Sequence, residues 1–122
     1  MKALPWTKAL EAIKTQVEQA TGYQFNACLA NLYRDGNDTV GWHSDDEPEL
    51  GEQPVIASVS LGAERDFQLK HKSLSEKLTI SLKSGSLLTM SGETQNAWQH
   101  CLPRTKRVKS PRINLTFRRV FQ

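Results

Sequence analysis

The sequence predicts a mainly β protein, an antiparallel sandwich or jelly roll with one N-terminal helix packed on a face of it. Three observations lead there. A single stretch, about Thr7 to Thr21, carries apolar residues at helical spacing. From residue 25 onward the apolar period falls to two. Gly, Pro, Ser and Glu then divide the chain into many short extended runs, the spacing of a sandwich or jelly roll.

The helix has Leu10, Ile13 and Val17 on one face, Thr7 to cap its start and Gly22 to end it. "FNACLANLY" (25–33) reads as a strand. "RDGND" (34–38) follows as a turn, with Gly36 and Asn37 supplying the unusual dihedrals. Further strands are predicted at 40–43, 55–61, 66–71, 77–82, 86–90, 97–102 and 112–120. With no repeat, low-complexity run or linker, residues 1–122 read as a single domain.

Composition sets the outer limits. At 38% hydrophobic and 24% charged residues, the chain is ordinary for a soluble globular protein. No apolar run approaches the roughly 20 residues that span a bilayer, so no membrane partner is expected. "MKALPWTKAL" has no apolar signal core, and the expected location is the cytoplasm. Cys28 and Cys101 are too few for a disulfide framework and read as buried thiols in a reducing compartment. The net charge of +3 is mildly basic. Acidic residues crowd positions 35–52, whereas Arg104, Lys106, Arg107, Lys109, Arg112, Arg118 and Arg119 crowd the C-terminal end. A basic flank beside an acidic pocket suits an anionic polymer gripped by its backbone; a solvated basic loop would look the same.

"GWHSDDE" (41–47) places an imidazole two positions from a carboxylate, His43 and Asp45, which an extended chain sets on one face. A metal ion accounts for that pairing, and so does a solvated acidic turn. Downstream, "NAWQHCLP" offers His100 from another strand. Two imidazoles and one carboxylate from separate strands form the facial arrangement that leaves half of an octahedral metal open, as in non-haem Fe(II) oxygenases. His71, between two lysines, reads as exposed and without a role. In the last strand Arg112, Asn114, Thr116 and Arg118 point one way, and Ile113, Leu115 and Phe117 the other. The apolar set is expected in the core between sheets. Two arginines inside a barrel mouth are costly unless paired with an anion, and a small dicarboxylate would satisfy both.

The blocks "PWT", "TGYQFNACLANLYRDGNDTVGWHSDDE", "PVIASVSLGAERDFQLKHK", "GSLLTMSGETQNAWQHCLP" and "PRINLTFR" resemble, in that order, the AlkB family of Fe(II)- and 2-oxoglutarate-dependent dioxygenases. The resemblance runs from Pro5 to Arg118 and implies a double-stranded β-helix, a cupin-like jelly roll. It implies His43, Asp45 and His100 as iron ligands and Asn31 and Tyr33 as polar contacts to 2-oxoglutarate. Arg112 would meet the distal carboxylate of that co-substrate, and Arg118, assisted by Asn114, the carboxylate nearer the metal and its chemistry. Asp46 and Glu47 would approach the exocyclic amine of a flipped base, with Trp42 adding apolar surface for the substrate. The activity implied is oxidative demethylation of N-alkylated bases, 1-methyladenine or 3-methylcytosine in type, within single-stranded DNA or RNA. It consumes dioxygen and releases formaldehyde, succinate and CO2.

The sequence departs from that pattern in one respect. The family carries a longer segment before "PWT" that forms a nucleotide-recognition lid; here "PWT" follows Met1 almost at once, so most of that lid is expected to be missing. Two rivals stay in view. One is the same chemistry acting on protein or a small molecule. The other is a cupin-like module that binds without catalysis or holds zinc for hydrolysis, and against it stand Arg112 and Arg118, since hydrolysis needs no dicarboxylate anchor.

Overall fold

In a computed structural model, which describes residues 6–46 and 48–121, helix α1 covers Lys8–Thr21. Its ends follow from local chemistry. Thr7 Oγ1 accepts the Leu10 N–H at 3.1 Å. Gly22 turns left-handed at φ 77° and returns its N–H to the Glu18 carbonyl.

Strands β1 (Ala27–Tyr33), β2 (Val40–His43), β3 (Ile56–Gly62) and β4 (Arg65–His71) come next. They are followed by β5 (Lys77–Leu82), β6 (Leu87–Met90), β7 (Trp98–Leu102) and β8 (Arg112–Arg118). Two short helical turns are additional to the sequence reading: Pro48–Leu50, and α2 (Thr94–Ala97) just before β7. The strands form two four-stranded antiparallel sheets, a major one ordered β1-β8-β3-β6 and a minor one ordered β2-β7-β4-β5. Mainly antiparallel β structure with an N-terminal helix is the architecture the period-two pattern implied. Among the described residues no helix is long and apolar enough to cross a membrane.

The alternation along β8 is as expected and its polar face lines the interior as expected, but its apolar face goes elsewhere than predicted. Phe117 and Leu115 do not point between the sheets. With Val17, Phe25 and Ala57 they form a core under α1, to which Trp6, Leu10 and Ile13 add. Each large apolar side chain buried there contributes about 1.5–3 kcal/mol. Ile113, beyond the reach of the helix, stays 42% exposed. The polar face of β8 instead lines a cavity between the sheets. The apolar residues therefore glue the helix on, leaving the interior free for polar side chains.

Turn 34–38 also differs in its cause. Gly36 is not among the glycines with positive φ, and Asn37 does not have it either. What Gly36 supplies is closeness. Its N–H donates to Val108 O and its carbonyl accepts from the Thr105 N–H, and a Cβ there would collide with the Thr105 carbonyl oxygen. The fully buried Arg65 guanidinium ties the same region together, donating to the carbonyls of Asp35, Asp38 and Pro103 at 2.9–3.1 Å. The basic loop 104–109 is thereby fastened to turn 34–38. Gly36→Ala is expected to cost roughly 2 kcal/mol of stability, read as a lower midpoint in urea; a wild-type midpoint would show that the two loops are not packed this closely.

Candidate metal centre and dicarboxylate pocket

The cavity has a volume of about 290 Å³, near the lower bound of about 300 Å³ usual for small-molecule sites. The major sheet contributes Asn31, Tyr33, Arg112, Asn114, Thr116 and Arg118 to its lining, and the minor sheet contributes His43 and His100, with Asp45 just beyond β2.

A β-bulge brings the two imidazoles together. Val40 pairs with Leu102 and His43 with His100, so three steps along β2 match two along β7. Three steps on a regular strand would put Val40 and His43 on opposite faces; the extra residue lets both line the same cavity. The His43 and His100 rings then lie 4.3 Å apart between centroids, edge to face. Asp45, 6% exposed, completes a trio in which one potential ligand atom from each residue lies within 4.8 Å of the others.

Protonation and hydrogen bonding prepare these groups for a cation. His43 Nδ1 is 2.8 Å from the Gly41 carbonyl, which can only accept; the proton therefore sits on Nδ1 and the Nε2 lone pair is free. Burial pushes the pKa of His100 down to about 4, helped by His43 and Arg118. His100 is thus neutral at pH 7, and its 3.7 Å approach to Asp45 Oδ2 is a convergence of ligand atoms, not an ion pair. Arg118 Nη2 donates to Asp45 Oδ1 at 3.2 Å, fixing that carboxylate. Two nitrogens and a carboxylate oxygen suit a divalent first-row metal such as Fe(II).

Further along the cavity, Arg112 is 2% exposed and donates from Nη2 to Ser60 Oγ at 3.0 Å. Its Nε and Nη1 find no partner among the described residues. Burial lowers its pKa, opposed by Tyr33 and reinforced by Arg65. A buried guanidinium with two idle donors fits a carboxylate, which accepts two parallel hydrogen bonds. Tyr33 packs its ring 5.1 Å from the Arg112 guanidinium, and Ser58 Oγ donates to Asn114 Oδ1 at 2.7 Å.

The remaining sequence-derived candidates fare differently. Asp46 is exposed, and Glu47 lies outside the described residues. Trp42 does not join the cavity, because a strand residue beside an inward-facing His43 must face outward. Its ring lies instead under Lys70 Nζ at 4.4 Å and Lys77 Nζ at 5.6 Å. His71 has a structural use after all: its Nδ1 accepts the Leu74 N–H at 2.9 Å and the Ser73 N–H at 3.1 Å, shaping the β4–β5 turn. Ser58, Ser60, Ser44 and Gln95 were not anticipated. The two serines of "VIASVSL" had a signal, since Ile56, Ser58 and Ser60 share one face and a hydroxyl pair on an apolar strand asks for polar partners.

Comparison with known proteins agrees with this geometry. A family model described as the 2OG-Fe(II) oxygenase superfamily matches residues 1–118. The chain is 46% identical over 125 residues to the "Alpha-ketoglutarate-dependent dioxygenase alkB homolog 3" of Bos taurus, covering 95% of this chain and 44% of that protein. It is 45% identical over 124 residues to the "DNA oxidative demethylase ALKBH2" of Mus musculus, covering 95% and 52%. The chain thus spans about half the length of the curated relatives it matches. A solved structure described as "The structure of OsALKBH1" superposes with a TM-score of 0.60 at 22% identity, covering 91% of this chain and 60% of that one. That likeness speaks for the fold alone.

Proposed function

Because the chain belongs to the 2OG-Fe(II) oxygenase superfamily, we propose that it carries out oxidative demethylation of N-alkylated bases in single-stranded DNA or RNA. The observation that carries the reading is the joint placement of His43, Asp45 and His100 within 4.8 Å of one another in the same cavity as the idle donors of Arg112. The relative named as a DNA oxidative demethylase, 45% identical across nearly all of this chain, supports the substrate class.

His43, Asp45 and His100 would hold Fe(II). Bound there with 2-oxoglutarate, the metal would supply oxidation of an N-methyl group by dioxygen, with formaldehyde, succinate and CO2 as products. The protein's own contribution is positional. Arg112 holds the distal carboxylate of 2-oxoglutarate from a site where water competes poorly, with Tyr33 flanking the guanidinium. Asn31 and Asn114 line the wall between Arg112 and the metal ligands, and Arg118 keeps one Asp45 oxygen engaged. A base must leave its stack to reach such a cavity, which costs least in a single strand or at an alkylated, weakly paired position.

The test is a coupled measurement of succinate and formaldehyde with Fe(II) and 2-oxoglutarate. Methylated single-stranded DNA and RNA oligonucleotides are compared with their unmethylated counterparts. Formaldehyde in step with succinate, only when 1-methyladenine or 3-methylcytosine is present, is the expected result. Succinate that rises with no nucleic acid dependence would move the substrate to protein or a small molecule.

A further inference from the structure

We propose that Gln95 is a positioning residue for the metal ligands: with Ser44 it clamps the loop that carries Asp45 to the strand that carries His100. The inference rests on the metal-centre reading above and adds a component to it.

The starting point is an absence of ladder support. Strand β2 ends at His43, so residues 44–46 have no β partner to fix them, yet Asp45 must hold its carboxylate at a defined place. Two side-chain hydrogen bonds replace the ladder. The Asp45 N–H donates to Gln95 Oε1 at 2.7 Å, and Ser44 Oγ donates to the Trp98 carbonyl at 2.7 Å. Both anchors lie in 95–98, the segment that runs directly into β7 and His100. Segments 50 residues apart are therefore tied together within a few residues of each ligand.

Gln95 is an unusual residue to find there. It is 0% exposed, and a carboxamide is costly to bury unless its polar atoms are used. Its oxygen is used on Asp45. Among the described residues its Nε2 has only the Met90 thioether, 3.6 Å away, a weak acceptor. The side chain is thus committed to one strong bond, to the backbone of a ligand residue. The turn bearing it is braced in its own right: Lys72 N–H donates to Ala97 O at 2.8 Å, and Ala97 N–H donates to Glu93 O at 2.8 Å. Arg118 fixes the Asp45 side chain and Gln95 fixes its backbone, so the two supports are complementary.

The test is Mn(II) affinity by calorimetric titration of the folded chain, at a temperature well below every variant's unfolding transition, together with the visible spectrum of the Co(II)-loaded protein. Gln95→Met keeps the volume and the contact with Met90 but cannot accept the Asp45 N–H. It is expected to weaken Mn(II) roughly 10–100-fold, the scale of lost outer-shell partners, and to alter the Co(II) bands. Ser44→Ala, a smaller cut, is expected to weaken Mn(II) in the same direction, and the double variant less than the product of the two. Thr94→Val, which removes a hydroxyl bonded to Ser91 O in the same turn, is expected to lower thermal stability while keeping wild-type Mn(II) affinity. Wild-type affinity and spectrum in both Gln95→Met and Ser44→Ala overturn the clamp alone, and Ser44→Ala decides the matter if Gln95→Met does not fold. No Mn(II) uptake by the unaltered protein overturns the metal centre and the clamp together.

Discussion

Asp45→Ala is expected to abolish formaldehyde release from a 1-methyladenine or 3-methylcytosine oligonucleotide. Asp45 provides the single carboxylate of the trio, and no other acidic side chain joins His43 and His100 among the described residues. Losing even an outer-shell partner of a ligand costs roughly 10–100-fold, so losing the ligand itself should exceed about a hundredfold. The substitution also leaves Arg118 without its acceptor, a cation then facing two imidazoles that would have to hold a divalent ion unaided. Thermal stabilisation by Mn(II) should vanish along with turnover. Formaldehyde release at the wild-type rate would falsify the assignment of Asp45 to the metal.

Arg112→Met is expected to weaken co-substrate binding while stabilising the ligand-free fold. Hydrogen bonds to a charged group contribute about 1.5–3 kcal/mol each; losing about 3 kcal/mol of anchoring corresponds to a KM for 2-oxoglutarate roughly a hundredfold higher. Yet the same change removes a buried guanidinium that has two idle donors and Arg65 as a like-charged neighbour. Burying a charge without a counter-charge is costly, so an apolar side chain of similar reach relieves the ligand-free fold of that cost. The ligand-free variant should therefore melt higher than the wild type while responding far less to 2-oxoglutarate. Arg112→Lys should not restore the KM, because a single ammonium cannot reproduce the planar two-pronged contact. Paired measurements of melting temperature and KM check both halves. A lower melting point with an unchanged KM would mean that Arg112 serves the fold and not the co-substrate.

Much of this architecture was legible in the chain itself, for identifiable reasons. Thr7 and Gly22 bracket the helix because capping is local chemistry, and β1, β5 and β8 follow the period-two reading to within two residues. The polar row Arg112, Asn114, Thr116 and Arg118 was visible because alternation needs no knowledge of the partner sheet. What alternation cannot tell is which face meets which neighbour. Ile113, Leu115 and Phe117 were expected between the sheets, yet α1 claims that side, a long-range decision absent from the strand's own pattern. Trp42 was assigned to the substrate from its adjacency to His43, although adjacent strand residues diverge. Gln95 gave no signal: a four-residue turn is too short for periodicity, and a Gln beside Thr and Asn reads as surface.

The bulge in β2 makes chain length, and not only composition, a determinant of chemistry. Were β2 regular over Val40–His43 with no residue removed, the imidazole of His43 would turn away from the cavity; removing one residue would keep it on the cavity face but lose the local bend and twist of the bulge. The extra residue therefore sets the angle at which His43 meets His100 and Asp45. One residue too many in a short edge strand is what aims an imidazole, a use of chain length that no inventory of side chains would show.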